Sequence, residues 1–128
     1  MTKETTKTFH LISLGCAKNT VDSDSMAQLL GSAGFAPVAN PDEASVLLVN
    51  TCGFIGPAKE ESYRVLSELA EGKQAHQMLI AAGCLTQRYG AEVVQRVPGI
   101  DGLLGTRRWM DIVEVVTNLR ARKHPEPL

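Results

Sequence analysis

The chain has 128 residues, with thirteen Lys and Arg against fourteen Asp and Glu, and only 5 % aromatics, so its core must rest on Leu, Val, Ile and Ala. That length suits one domain, the near-neutral charge provides no basic field for nucleic acid, and there is no apolar run of about 18 residues to span a membrane. The polar opening Met1-Thr2-Lys3-Glu4-Thr5-Thr6-Lys7-Thr8 lacks the apolar centre of a secretion signal, so a cytoplasmic location is expected.

Residues 1–7 read as an extended or disordered N-terminus. The first predicted strand covers about 8–14 and exits through Gly15-Cys16-Ala17-Lys18. Asn19 or Thr20 is the expected N-cap of the next helix, with Asp22 and Asp24 near its positive end. Val21, Met26, Leu29 and Leu30 supply its apolar face, and Gly31 and Gly34 close it. Residues 35–38 read as a short strand, which Pro37 places at a sheet edge. Asn40-Pro41-Asp42-Glu43 reads as a turn with the proline at a first helical position.

A strand at about 45–50 enters Asn50-Thr51-Cys52-Gly53. The following helix is predicted from Pro57 to Glu71. Ala58, Tyr63, Val65, Leu66 and Leu69 would face inward; Lys59, Glu60, Glu61, Arg64 and Glu68 would face water. The next strand, about 77–82, exits through Gly83-Cys84. A helix is expected from Thr86 to Tyr89, with a continuation to Gln95. Pro98-Gly99 is a turn, 102–104 a last strand, and 108–122 a last helix offering Trp109, Ile112, Val113, Val115, Val116 and Leu119 for burial. Residues 8–120 form the expected domain, and 121–128 read as the start of a linker.

Strands alternate with helices, which predicts an α/β fold: an open parallel sheet of about five strands with helices on both faces, a flavodoxin- or Rossmann-like three-layer sandwich. In the strand order 2-1-3-4-5, the first, third and fourth strands are neighbours about 4.8 Å apart. The chain's three cysteines, Cys16, Cys52 and Cys84, each follow one of these strands. Parallel strands put all three on the carboxyl edge, where ligands of such sheets bind. Glycines beside them, Gly15, Gly53 and Gly83, permit close approach and unusual backbone angles. Helix N-termini nearby favour thiolate over thiol.

An odd cysteine count argues against a closed disulfide set. Three thiolates with no evident fourth ligand suit an iron–sulfur cluster with one open iron better than a structural zinc site, which is closed by four. A single strand-end cysteine is more often a small buried hydrophobe; three at equivalent positions favour a shared metal or redox role. Lys18, Asn19, Asn50, Thr51 and Gly53 are candidate contacts to the bound group, although Asn50 and Thr51 are equally suited to shaping the turn. His10, His76 and His124 do not stand out. Trp109 reads as core, and Gln87 and Arg88 as a solvated helix start. A stand-alone flavodoxin-like binding or redox module is the alternative; the Ser/Thr-rich phosphate loop of a flavin site is absent.

Leu14-Gly15-Cys16-Ala17-Lys18-Asn19, Asn50-Thr51-Cys52-Gly53-Phe54-Ile55 and Ala82-Gly83-Cys84-Leu85-Thr86-Gln87-Arg88-Tyr89 together resemble the N-terminal domain of the radical S-adenosylmethionine methylthiotransferases, over roughly residues 8–120. Val21-Asp22-Ser23 and Ala58-Lys59-Glu60-Glu61-Ser62 are similar to the branch that modifies an aspartate of ribosomal protein uS12; the tRNA-modifying branch is the runner-up. The resemblance implies that Cys16, Cys52 and Cys84 ligate an auxiliary 4Fe–4S cluster whose open iron holds the sulfur to be inserted. It also implies S-adenosylmethionine and a second 4Fe–4S cluster, bound through C-x₃-C-x₂-C in a separate radical domain, and a C-terminal substrate-binding domain. This sequence contains no C-x₃-C-x₂-C, so the chain is expected to bind a cluster without turning over by itself.

Overall fold

The computed structural model describes residues 7–14, 17–52 and 56–123. In chain order it has β1 (Thr8–Ser13), α1 (Ala17–Ser32), β2 (Ala36–Pro37), a 3-10 turn (Pro41–Glu43), β3 (Val46–Thr51), α2 (Gly56–Gly72), β4 (Met78–Gly83), α3 (Cys84–Arg96), β5 (Gly102–Leu104), a 3-10 segment (Thr106–Asp111) and α4 (Ile112–Lys123). The five strands form one sheet in the order β2-β1-β3-β4-β5, and every pairing is parallel. The expected parallel three-layer architecture is found, and its strand order is the flavodoxin-like one that makes β1, β3 and β4 neighbours.

Central strands buried on both faces alternate their side chains between two cores. Val46 and Leu48 of β3, with Met78, Ile80 and Ala82 of β4, pack with Met26, Leu30, Ile112 and Val116 beneath α1 and α4. Leu47, Val49, Leu79 and Ala81 pack with Tyr63, Leu66, Leu85 and Val93 beneath α2 and α3. Pro37 lies on the edge strand as expected. It falls between the Ala36 amide, which donates to Lys7, and the Val38 amide, which donates to Phe9, so its missing N–H removes no ladder bond. Asn40 caps the 3-10 turn: its side-chain oxygen accepts from the Asp42 amide at 3.0 Å, with Pro41 just inside.

Several boundaries move. The first helix begins at Ala17 rather than after Asn19 or Thr20, since Ala17 and Lys18 are good helix formers and the segment continues helical through them. Val21 is 63 % exposed, while Ser23 is buried beside Met26 and Leu30. Positions 23, 26, 27 and 30 follow the i, i+3, i+4, i+7 rule and form the inward face, whereas Val21 lies opposite Ser23. The third helix begins on Cys84 itself, and Tyr89 breaks it with φ −129° and ψ 37°. The last helix is preceded by tighter 3-10 turns up to Asp111 and begins at Ile112. Trp109, Val113, Val115 and Leu119 pack against the α1/α4 core, as expected.

The amino end of the sheet is pinned by polar side chains. Gln77, buried immediately before β4, donates to the Pro41 and Ala44 carbonyls at 2.9 and 2.7 Å and accepts from the Gln74 amide at 2.9 Å. Replacement by alanine takes this donor from the Ala44 carbonyl and the acceptor from the Gln74 amide, while the Pro41 carbonyl keeps its bond from the Ala44 amide. Gln77→Ala is expected to lower unfolding free energy by about 2 to 3 kcal/mol, read as a lower urea midpoint at unchanged slope.

Candidate functional site

Two of the three sequence-predicted cysteines are described, and both stand at the carboxyl edge. The β3–β4 register runs from Val46↔Met78 to Thr51↔Gly83. Cys52 and Cys84 are the next residues on their strands, so they leave adjacent strands at the same level. Cys52 is 7 % exposed and Cys84 half-buried, and neither is in a disulfide. Cys16, Gly15 and Gly53 lie outside the described residues. Lys18 and Asn19 fall in the first turn of α1; their side chains also lie outside the described set.

Gly83 makes the β4 exit possible. It has φ +98° and ψ −161°, a region that side chains disfavour. A Cβ there would sit 2.5 Å from the Thr51 carbonyl oxygen and against Asn50 Oδ1. One residue thus turns the chain from strand to helix, and Cys84 becomes the first residue of α3. There it stands at the positive end of the α3 helix dipole, which favours an anion bound nearby.

Asn50 and Thr51 carry structural bonds. Asn50 Nδ2 donates to Ser23 Oγ at 3.0 Å, tying β3 to α1, and Thr51 Oγ1 donates to the Ala82 carbonyl across to β4. The Asn50 carbonyl accepts from the Leu14 amide at 3.0 Å, which carries the β1–β3 pairing one step beyond β1. These bonds accord with the turn-shaping reading of the two side chains.

Ser62, which the sequence reading did not single out as a contact, is fully buried on α2. The Cys52 amide donates to Ser62 Oγ at 3.0 Å, and the same hydroxyl donates to the Cys52 carbonyl at 2.9 Å. The available signal was its register: a serine one residue before Tyr63 and four before Leu66, on the inner face of the helix that follows the cysteine loop.

Helices α2 and α3 are locked together by a polar and aromatic bracket. Tyr63 donates to Glu92 at 2.8 Å; Lys59 pairs with Glu92 at 3.3 Å and lies 3.9 Å from the Tyr89 ring centroid. The Arg96 guanidinium stacks 3.8 Å from the Tyr63 ring centroid and reaches Glu60 at 3.4 Å. Lys59 was expected to face water; its side chain is instead only 24 % exposed, because α3 packs alongside and offers a ring and a carboxylate. Arg64 and Glu68 face water as expected, and they pair with each other at 3.2 Å. Burial, then the bond to Glu92, pushes the Tyr63 phenol up, so it remains a donor. The bond from Tyr63, reinforced by Lys59, holds the Glu92 carboxyl below the ordinary range.

Among the described residues, one buried side-chain polar atom has no partner: the Oγ1 of Thr86, two positions after Cys84. The next residue, Gln87, comes against Gly105 just beyond β5, so this turn of α3 sits toward the carboxyl end of β5. Two thiols thus leave adjacent strand ends beside a helix N-terminus and a buried hydroxyl, and thiolate sulfur is the ligand type that soft metals take. Among the described residues, no three His, Cys, Asp or Glu side chains come together. His10 is a strand residue whose Nδ1 meets the Val38 carbonyl at 2.9 Å, and His76 is exposed. No helix among the described residues is long and apolar enough to cross a membrane.

Residues 8–105 match the family described as Uncharacterized protein family UPF0004. The chain is 49 % identical over 112 residues to the "Ribosomal protein uS12 methylthiotransferase RimO" of Roseiflexus sp. (strain RS-1), covering 88 % of this chain and 24 % of that protein. Proteins of the same name are 49 % identical in Herpetosiphon aurantiacus, over 84 % of this chain and 23 % of the relative, and 47 % identical in Syntrophus aciditrophicus, over 91 % and 26 %. The chain therefore spans about a quarter of the length of these curated relatives.

Two substitutions probe the geometry. Gly83→Ala adds a disfavoured φ to a clash with the neighbouring backbone, and should cost about 3 kcal/mol of stability or prevent folding, measured by chemical denaturation. Glu92→Gln should narrow the stability margin above the ordinary carboxylate range. Because the Glu92 pKa is depressed in the folded state, its contribution is complete at neutral pH and fades as acid protonates it. Urea midpoints of the two proteins should accordingly converge on acidification.

Proposed function

The chain belongs to Uncharacterized protein family UPF0004, and from that membership, together with the two thiols leaving β3 and β4 at one level, we propose that it is the auxiliary iron–sulfur domain of a methylthiotransferase acting on ribosomal protein uS12. The observation that carries this reading is the register pair Thr51↔Gly83, which sets Cys52 beside Cys84. Cys16, which follows the neighbouring β1, is the proposed third ligand. Residues 8–120 are the proposed domain.

These three thiolates would hold a 4Fe–4S cluster and leave one iron without a protein ligand. Such a cluster supplies a coordination position for an exogenous sulfur. The chain's own contribution is to fix the ligands: Gly83 turns Cys84 onto the α3 N-terminus, Ser62 holds the Cys52 backbone, and the α2–α3 bracket sets the two elements against each other. Lys18, Asn19, Asn50, Thr51 and Gly53 are the proposed surroundings. The orphaned Thr86 hydroxyl is a donor that a sulfide or thiolate near the first turn of α3 would satisfy.

The substrate assignment rests on relatives whose names specify ribosomal protein uS12. Those relatives are about four times as long, and the proposed enzyme uses its further length for a radical S-adenosylmethionine domain with a second 4Fe–4S cluster and for a substrate-binding domain. An aspartate of uS12 would receive the methylthio group in the cytoplasm, and this chain alone would not turn over. The uS12 names favour that substrate over tRNA.

Anaerobic reconstitution of the chain with ferrous iron and sulfide should incorporate about four of each per chain, with cubane-type visible absorption. Cys52→Ala and Cys84→Ala should each lose most of the iron. Full iron retention by Cys52→Ala would sink the shared site.

A further inference from the structure

We propose that Ser62 is the positioning residue for Cys52, fixing the direction of its sulfur before any metal binds; this rests on the cluster reading above and deepens it. Cys52 lies one residue past the last β3–β4 pair, Thr51↔Gly83, so its amide and carbonyl have left the ladder. Yet the residue is 93 % buried, being 7 % exposed, and unpaired backbone groups there would carry a desolvation cost. A serine hydroxyl donates one bond and accepts up to two. Ser62 uses this capacity on a single residue, accepting from the Cys52 amide at 3.0 Å and donating to its carbonyl at 2.9 Å.

Holding both groups fixes the peptide planes on either side of the Cys52 Cα, and therefore the Cα–Cβ direction. Only side-chain rotation remains for the sulfur. Ser62 thus replaces the neighbouring strand where the ladder has run out. Its helix face completes the link: Lys59, Ser62 and Tyr63 lie at i, i+3 and i+4 of α2, and Lys59 and Tyr63 reach Tyr89 and Glu92 of α3, the helix that begins with Cys84. One helix face therefore sets the backbone of one cysteine and docks the helix that carries the other.

The test compares wild type, Ser62→Ala and Ser62→Thr. In the metal-free chain, the iodoacetamide alkylation rate at each cysteine is read by peptide mass spectrometry. Ser62→Ala should speed Cys52 alkylation about tenfold, as expected for loss of a buried hydrogen-bond pair, and leave Cys84 within about twofold. Ser62→Thr, which retains the hydroxyl, should restore the wild-type rate. After anaerobic reconstitution, Ser62→Ala should shift the electron paramagnetic resonance spectrum of the reduced cluster, and Ser62→Thr should not.

Unchanged Cys52 alkylation in Ser62→Ala, or equal acceleration at both cysteines, would overturn the proposal, the latter marking general loosening. Should Ser62→Ala fail to fold, hydrogen exchange in the wild type decides. The Cys52 amide should be protected like that of Val49, and exchange at the rate of an open loop would overturn the proposal. A wild-type chain that takes up no iron but keeps the alkylation pattern would refute the cluster reading alone.

Discussion

Parallel pairing between β3 and β4 is the constraint on which the carboxyl edge depends. Its register is enforced by apolar side chains rather than by the cysteines. Val46, Leu48, Met78 and Ile80 must face α1 and α4, while Leu47, Val49, Leu79 and Ala81 must face α2 and α3. A slip of one residue would turn each set toward the wrong core and shift one strand end by about 3.3 Å relative to the other. The packing that excludes that slip also makes Thr51 face Gly83, and hence sends Cys52 and Cys84 out together. The geometry of the proposed ligands is inherited from the hydrophobic core.

The two ends of the sheet use polar groups differently. At the amino end Gln77 and the Thr8–Ser45 pair satisfy backbone groups and close the structure: Ser45 Oγ donates to the Thr8 carbonyl at 2.9 Å and the Ser45 amide donates to Thr8 Oγ1 at 3.0 Å. At the carboxyl edge, polar side chains shape the exits of β3 and β4. Asn50 reaches Ser23, Thr51 reaches β4, and Ser62 holds Cys52. The α2–α3 bracket then restrains the helices that flank those exits. Its individual surface pairs are weak, but Tyr63 and the buried Leu66 anchor the same helix face in the α2/α3 core.

The architecture was legible because its signals are periodic. Apolar strand runs alternating with amphipathic helices predict a parallel sheet, and Pro37 marks its edge. The strand-end positions of Cys52 and Cys84 follow from that reading alone. Legibility declined where tertiary contacts replace periodicity. Val21 looks like a core residue by hydrophobicity, but helix phase selects Ser23 because Asn50 needs a buried partner. Lys59 looks solvated until α3 brings Tyr89 and Glu92 beside it. The α3 start at Cys84 was missed because a glycine at φ +98° can replace an entire loop. Ser62 carries little sequence signal because serine is usually a surface residue, and only its contact with a backbone that has left the sheet makes its burial favourable.

Thr86 gives this edge its remaining asymmetry. Among the described residues of this edge, the buried Asn50, Thr51 and Ser62 all have hydrogen-bond partners, whereas Thr86 Oγ1 has none. A buried unpaired hydroxyl costs about 1–3 kcal/mol, a burden that a purely structural helix start could shed by substituting alanine or valine. The hydroxyl stands in the first turn of α3, two residues after the Cys84 thiol on the helix N-terminus. A sulfur-rich anion bound at this edge would find the helix field, the two adjacent thiols and a donor that no protein acceptor occupies. The unsatisfied atom and the strand-end cysteines thus point to the same end of the sheet, by independent physical routes.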